Sequence, residues 1–394
     1  MPEDSIQLLP ANLDELAQSL RSHAGEADRL ARLPEPVVRA LVQARLFRLW
    51  IPQRYGGFEL ELPETLRLYE TAARIDGSAG WAVMIGSGGG LFAAYLEPAT
   101  AKEIYSRSDA VIAGSGAPDG QAEQVAGGYR VTGRWRYASG ADYATTFTAN
   151  CVLTANGQPI LGADGKPVIR AMAFEPSQVR ILPTWDSIGM RGTGSHDFEV
   201  VDALVPQRRT FSVFMDAPRE PGPLYRLPFS VLTELPVAAV ALGIAQHALD
   251  VFVALARRKK GGGSDVALSD EPTVRSQYAE SHARWRFARA RLHELSRETW
   301  QVALSGRPLN PSELAEITAS CTLCVSELCA AIGRLAAVAG MSAILRGEEF
   351  ARAWHDLQTL SAHVSVSPRQ LGSSGAVLLS ARYEHPQIST SPSR

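Results

Sequence analysis

The feature that most constrains this chain is a change of hydrophobic period that happens twice. Up to residue 107, apolar residues recur at helical spacing. From 110 to 206 they fall in short alternating runs rich in Gly, Thr and Val. From Ser230 onward the helical period returns in four long windows, 232–255, 273–303, 312–340 and 348–366. A chain of 394 residues is too long for a single ordinary core. The expected fold class is therefore mainly α with a central β-domain: a helical N-terminal domain (1–107), a β-domain (108–212) built as a small barrel or sandwich, a C-terminal four-helix bundle (225–382) and a flexible Pro/Ser-rich tail (383–394).

Local signals agree with that division. Asn12 and Glu15 have capping-box spacing, and Leu13, Leu16, Ala17 and Leu20 follow at helical intervals. Pro34-Glu35-Pro36 interrupts this first helix, and Ile51-Pro52-Gln53-Arg54-Tyr55-Gly56-Gly57 reads as a turn. Further helices are expected from Pro63, Asp76 and Pro98. Strand-like runs cover 129–137, 145–154, 168–174, 179–183 and 198–205, with turns at Asn156-Gly157 and Asp164-Gly165.

Composition removes several function classes. Net charge is −2 and basic residues are scattered, so no nucleic-acid footprint is visible. The one basic run, Arg257-Arg258-Lys259-Lys260, abuts Gly261-Gly262-Gly263-Ser264 and reads as an exposed helix end and loop. No uncharged run reaches the ~18 apolar residues of a membrane span, and the N-terminus has no basic-then-apolar signal. Cys321, Cys324 and Cys329 include a CxxC, but no second pair or nearby histidine completes a metal site. They read as buried thiols in a reducing, cytoplasmic setting, with no metal expected.

Six motifs, in this order, carry a resemblance: Ile51-Pro52-Gln53-Arg54-Tyr55-Gly56-Gly57, Asp76-Gly77-Ser78-Ala79-Gly80-Trp81, Gly127-Gly128-Tyr129-Arg130-Val131-Thr132-Gly133, Tyr137-Ala138-Ser139-Gly140, Gly189-Met190-Arg191-Gly192-Thr193-Gly194-Ser195 and Val205-Pro206. Across about residues 10–380 the chain resembles the acyl-CoA dehydrogenase superfamily, and within it the oxygenase components of two-component, reduced-flavin-dependent monooxygenases. The resemblance implies a homotetramer. It also implies FMN or FAD, delivered reduced by a separate flavin reductase, bound between β-domain and bundle and partly contacted by a neighbouring subunit, whose flavin phosphate the helix beginning at Arg275 would reach. Such enzymes react the flavin with O2 and use its C4a-(hydro)peroxide to oxygenate a small, often aromatic, substrate.

The resemblance also distributes roles. It places Ser139 opposite flavin N5 and makes His363 the general acid or base; a neutral-range imidazole suits proton exchange near pH 7. It places Tyr137, Ser139, Gly140, Trp185, Arg191, Thr193, Gly194, Ser195 and Arg275 at the cofactor, and Trp81, Gly88, Phe92 and His355 at the substrate. By residue chemistry alone, Ser139 is a polar turn residue, His363 a helix histidine and Trp185 an interface filler. Three departures stand out. Val364 occupies the position of the dehydrogenases' glutamate base. His355-Asp356 stands where relatives often carry Arg-Asp. Gly86-Ser87-Gly88-Gly89-Gly90 stands where several oxygenases have a substrate-side histidine, which leaves room for a substrate larger than a simple phenol. Two alternatives remain. One is a dehydrogenase or oxidase using Glu234 as base, although alignment on Gly243 puts Thr233 at that position. The other is a catalytically silent flavin-binding partner.

Overall fold

A computed structural model describes residues 13–261 and 265–380. The expected cap at Asn12, the Gly262-Gly263-Ser264 loop and the tail 383–394 lie outside the described residues.

The first region is helical: α1 (Leu13–Leu30), α2 (Glu35–Gln43), α3 (Leu62–Ile75), α4 (Gly77–Gly88) and α5 (Pro98–Tyr105). Proline stands in the first turn of α2, α3 and α5, where its missing N–H costs nothing. The Asp76 side chain caps α4 by accepting the Ala79 N–H at 2.8 Å. Gly80 is required where α4 crosses α3, because a Cβ there would come within 2.4 Å of the Ala73 Cα.

The middle region forms one mixed sheet of eight strands: β1 (Ile112–Val125), β2 (Gly128–Ala138), β3 (Thr146–Ala155), β4 (Gln158–Pro159), β5 (Ile169–Phe174), β6 (Arg180–Leu182), β7 (His196–Pro206) and β8 (Thr210–Phe211). Their order is β6-β7-β2-β1-β3-β5-β8, with β4 paired to β3. The β1–β3 pair is parallel; the others are antiparallel. Phe198 on β7 and Phe147 on β3 are three strand spacings apart, about 14 Å on a flat sheet. Their rings nevertheless lie 5.5 Å apart. Trp135 on β2 and Phe174 on β5, also three spacings apart, meet at 6.0 Å. The sheet is therefore rolled around its own aromatic core, which fits the barrel-like expectation better than a sandwich.

The longest strand, β1, was not visible as a strand in the sequence. Its run Gly114-Ser115-Gly116-Ala117-Pro118-Asp119-Gly120 does not alternate. It is extended because β2 and β3 pair with it on both sides. Its glycines allow those neighbours in: a Cβ on Gly120 would sit 2.1 Å from the Trp135 ring, and one on Gly114 would sit 2.0 Å from the Thr148 carbonyl.

The C-terminal region contains α6 (Val231–Arg258), α7 (Pro272–Ser305), α8 (Pro311–Ala339), α9 (Glu349–Ser361) and α10 (Gln370–Ser380). Asn310 and Glu313 form a capping box at the start of α8. Helices α6 and α8 are by length and composition apolar enough to cross a membrane. In the fold they pack on one another, and α6 runs through the main core. The CxxC thiols Cys321 and Cys324 are buried and free. The fourth expected window breaks: α9 stops at Ser361 and a 3-10 turn covers Val364–Val366. His363 stands in the break with φ −67° and ψ 138°, its own ring capping the turn.

Candidate active site

The α4 N-cap aims Trp81 toward the end of β2. There Trp81 Nε1 donates to Ser139 Oγ at 2.9 Å. Ser139 Oγ lies 2.7 Å from Ser195 Oγ, and Ser195 Oγ lies 2.6 Å from Thr193 Oγ1. Thr193 Oγ1 donates to the Met190 carbonyl at 2.7 Å. Ser139, Thr193 and Ser195 are buried. Each hydroxyl has one proton, so this arrangement has one direction. With Thr193 donating to Met190, Ser195 donates to Thr193 and Ser139 donates to Ser195. The Met190 carbonyl also receives Trp185 Nε1 at 3.0 Å and the Thr193 N–H at 3.1 Å.

The backbone around this chain of hydroxyls is bent into unusual shapes. Tyr137 (φ +70°) and Met190 (φ +53°) are non-glycine residues in the left-handed region, and each flanks the hydroxyls. The β2–β7 register shifts between Trp135 and Ala138, so Tyr137 sits in a bulge that re-aims the strand end carrying Ser139. Gly140 (φ +78°) donates its N–H to the Thr193 carbonyl, which ties the two turns together. Tyr137 is 60% exposed and lies edge-on to the half-buried Trp185 at 6.0 Å.

His363 approaches from the bundle side. Its ring meets Trp81 edge-to-face at 5.3 Å. Nδ1 accepts the Ser365 N–H at 3.3 Å, so the ring proton resides on Nε2. Burial pushes the imidazole pKa down to about 4, well below the neutral range expected from sequence. At pH 7 His363 is thus a neutral Nε2–H donor. Val364, at the position of the dehydrogenase base, is aliphatic and 73% exposed.

Asp356, on α9, was visible in the sequence only as part of a pair. Its buried Oδ1 accepts the Met190 N–H at 2.5 Å. A Cβ on Gly77, in the first turn of α4, would lie 2.7 Å from Oδ2. Burial pushes the Asp356 carboxyl up to about 7, and neighbouring Asp76 adds to the shift.

The remaining candidates divide. Between residues 77 and 94 every position is buried except Ile85, Gly88 and Phe92. Ile85 and Gly88 lie four and seven residues beyond Trp81, on its side of α4; Phe92 lies past the end of α4, in a 3-10 segment. A Cβ on Gly88 would meet nothing within 4 Å. Phe92 packs on Phe211 at 5.0 Å and Phe229 at 6.2 Å, and exposed Phe214 meets Phe229 at 5.9 Å. Gly88 thus shares a face of α4 with Trp81, with Ile85 as a member the sequence reading missed, whereas Phe92 belongs to a separate aromatic cluster with Phe211 and Phe229. His355 is half-buried, with its pKa lowered by burial and partly offset by Asp28. Its backbone carbonyl, rather than its ring, packs against Gly189. Gly194 (φ +53°) closes the 3-10 turn that precedes Ser195.

Arg191 is engaged in holding its own loop, through the Asp28 and Ser187 carbonyls and the Asp186 carboxylate. Arg275 binds the Ser269 carbonyl and Asp270 at the start of α7, apart from the hydroxyls. Glu234 is buried inside the bundle, where Thr318 donates to it at 2.9 Å. Burial raises its pKa to about 7. Its carboxylate is turned toward α8, and its bonding partner belongs to the bundle rather than to the Trp81–Ser139 chain.

The donor set fits a flavin. The Ser139 hydroxyl keeps a free lone pair beside Trp81, the neutral His363 imidazole on the other side of Trp81 keeps an N–H, and Tyr137 with Trp185 offers an exposed aromatic pair at the end of the same strand.

Comparison with known proteins points the same way. Residues 4–104 match the family model of the acyl-CoA dehydrogenase N-terminal domain, and residues 235–368 match that of the C-terminal domain. The chain is 31% identical to an indole-3-acetate monooxygenase of Pseudomonas putida, over 91% of this chain and 90% of that protein. It is 27% identical to the flavin-dependent monooxygenase oxygenase subunit HsaA of Rhodococcus jostii, over 91% and 94%. Among solved structures, XiaF from Streptomyces, in complex with FADH2 and glycerol, superposes with a TM-score of 0.82 at 25% identity, covering 93% of this chain and 94% of XiaF.

Proposed function

We propose that this chain, which belongs to the acyl-CoA dehydrogenase family, is the oxygenase component of a two-component flavin-dependent monooxygenase acting on a small aromatic substrate. The observation that carries this reading is the Trp81–Ser139–Ser195 hydrogen-bond chain facing His363, with Val364 in place of a carboxylate base. Proton abstraction from an acyl substrate requires a base beside the cofactor. Neither Val364 nor the inward-turned Glu234 supplies one.

Bound reduced flavin, FMN or FAD, supplies the electrons that activate O2; a separate reductase delivers it in that state. The chain's own residues hold and protect. Trp81 fixes the Ser139 oxygen by donating to it. If Thr193 turns its proton from the Met190 carbonyl to Ser195, the whole hydroxyl chain reverses. Ser139 then accepts from Trp81 and Ser195 and donates outward, so every lone pair and proton is used. The Met190 carbonyl keeps two donors, from Trp185 and from the Thr193 backbone, so reversal costs about 1 kcal/mol. His363, edge-on to Trp81, carries a second donor, its Nε2–H. Around them Trp81 and Ser139 are buried, which keeps bulk water from the reacting region. The α4 face Trp81–Ile85–Gly88 receives the substrate ring.

Two further readings accompany this one. A homotetramer is supported by the outer face of α7 and α8, where Phe287 (76% exposed) and Leu323 (55%) line a groove between ion pairs such as Arg284–Glu280. A reducing, cytoplasmic location is supported by the free CxxC thiols; fractionation of the native host tests it.

The decisive experiment mixes anaerobic protein and reduced flavin with O2 in a stopped-flow instrument. A delay between O2 consumption and return of the oxidised flavin spectrum, with oxygenated product when an indole or phenol is present, supports the oxygenase. Immediate reoxidation, together with bleaching of oxidised flavin by acyl-CoA, refutes it.

A further inference from the structure

The three groups that face one another in the site stand on three different elements. Trp81 is on α4, Thr193 and Ser195 follow Met190 in the loop before β7, and His363 follows α9. Nothing in the local sequence of any one element fixes its distance to the other two. A single side chain joins the three elements. Asp356 belongs to α9, two helical turns before His363. It accepts the Met190 N–H, and it lies against Gly77, one turn before Trp81.

The surrounding backbone is cut to this contact. Gly77 leaves space for the carboxylate; a Cβ there would collide with Oδ2 at 2.7 Å. Gly189 lets the loop lie on α9, since its Cβ would stand 2.1 Å from the His355 carbonyl. Met190 is held in the left-handed region, an unfavourable shape for a side chain with a Cβ. Its N–H and C=O are both engaged: the N–H by Asp356, the C=O by Thr193 and Trp185. The Met190 peptide units therefore pass the position of α9 on to the hydroxyl chain that ends at Ser139.

We propose that Asp356 is a positioning residue for the oxygenase reaction, the common anchor that sets Trp81, the Thr193–Ser195 hydroxyls and His363 at their working separations. The proposal rests on the oxygenase reading, but its test does not depend on bound flavin. Asparagine keeps an oxygen that accepts the Met190 N–H; alanine does not.

The test is amide hydrogen exchange, read by mass spectrometry on the full-length, flavin-free protein and its Asp356→Ala, Asp356→Asn and Gly77→Ala variants. Asp356→Ala is expected to speed exchange about tenfold or more in 77–81, 190–195 and 361–366 together, with the strands around Trp135 unchanged. Asp356→Asn is expected to restore wild-type exchange in all three. Gly77→Ala, which displaces the carboxylate without removing it, is expected to reproduce the alanine pattern if Asp356→Ala does not fold. Change in the Met190 segment alone, equal damage by asparagine and alanine, or uniform acceleration across the chain overturns the proposal. A parallel assay of product and hydrogen peroxide per O2 consumed keeps the two readings apart. Wild-type protein that gives no product refutes the oxygenase and leaves the exchange result standing. Wild-type protein that couples well, with an Asp356→Ala variant that couples equally well, refutes the anchor.

Discussion

Trp81 Nε1 and Ser139 Oγ are 58 residues apart in sequence and 2.9 Å apart in space, and this hydrogen bond joins the helical N-terminal region to the rolled sheet. Both groups are buried. The indole N–H can only donate, so it fixes the serine oxygen as an acceptor and leaves the hydroxyl proton as the one variable.

Removing that oxygen is therefore expected to damage both structure and coupling. Ser139→Ala leaves the Trp81 N–H without a partner, a cost of about 1–3 kcal/mol by chemical denaturation. It should shorten the reoxidation delay by about 100-fold, the order seen when one preorganised donor is removed. Thr193→Val keeps the shape but removes the acceptor of the Ser195 proton, so Ser195 turns to Ser139 and Ser139 is left donating outward. It should retain stability to within about 1.5 kcal/mol and keep or lengthen the delay. A Thr193→Val enzyme with a shortened delay would show that this direction of the chain is not the one used.

Protonation of His363 opposes folding. Its folded pKa, about 4, lies below the ordinary value of about 6.5. Its stability contribution is therefore fully present above pH 6.5 and falls as pH drops toward 4, where the unfolded chain binds a proton that the folded one refuses. His363→Asn should lose less stability than wild type between pH 7 and 5 in parallel thermal melts. The pH profile of coupling should also lack a His363 inflection near 6.5.

Asp356 has the opposite sign. Its folded pKa, about 7, is raised above the ordinary carboxylate value of about 3.9. Stability from this group is present in full below pH 3.9 and is lost as pH rises through 7. Asp356→Asn cannot ionise, so it should gain on wild type as pH rises from about 4 to 7 and hold that gain above. Asp76, also raised by burial, faces no charge at position 356 in the variant, so its smaller shift adds to the same difference.

Gly88 tests the substrate face. Its missing Cβ faces open space, so Gly88→Leu should fold normally. It should raise KM for a bicyclic aromatic substrate about tenfold while affecting a single-ring phenol less, the order that steric contacts of this size control. Equal KM values for both substrates in wild type and variant would remove Gly88 from the pocket.

Phe287→Glu addresses assembly. If the proposed homotetramer forms through this face, a charge on the exposed α7–α8 groove should move the protein toward smaller species in size-exclusion chromatography with light scattering. An unchanged mass would place the interface elsewhere.

Much of the fold is legible in the sequence because it depends on local pattern. The bundle helices announce themselves by period, and α4 by the Asp76 cap. Strand β1 does not, since its glycines make sense only against the Trp135 ring and the Thr148 carbonyl on neighbouring strands. The site is legible to a similar depth. Motifs brought Ser139, Ser195, Thr193 and His363 to notice. Pattern could not show that Trp81 holds Ser139, that Arg191 is spent on Asp28 and Asp186, or that burial takes His363 far from neutral pKa. Those facts belong to long-range contacts. Ile85 could have been found by reading Trp81 and Gly88 as one helical face.

The curled sheet keeps an aromatic core of its own, separate from the main helical one. Tyr137, Ser139, Thr193 and Ser195 all travel with that sheet and its loops, whereas Trp81, Asp356 and His363 travel with the helices. The site is thus divided along the seam between sheet and helices. A chimera that exchanges the segment from β1 to β8 with a relative would inherit the hydroxyl chain as one piece. It would need the contacts across the seam to match: Trp81–Ser139 and Asp356–Met190, and with them Arg191–Asp28, Arg209–Glu103 and Phe92–Phe211. Diversification of substrate range in such a scaffold can then proceed on the helical side, by changes like those at Gly88, without rebuilding the chemistry carried by the sheet.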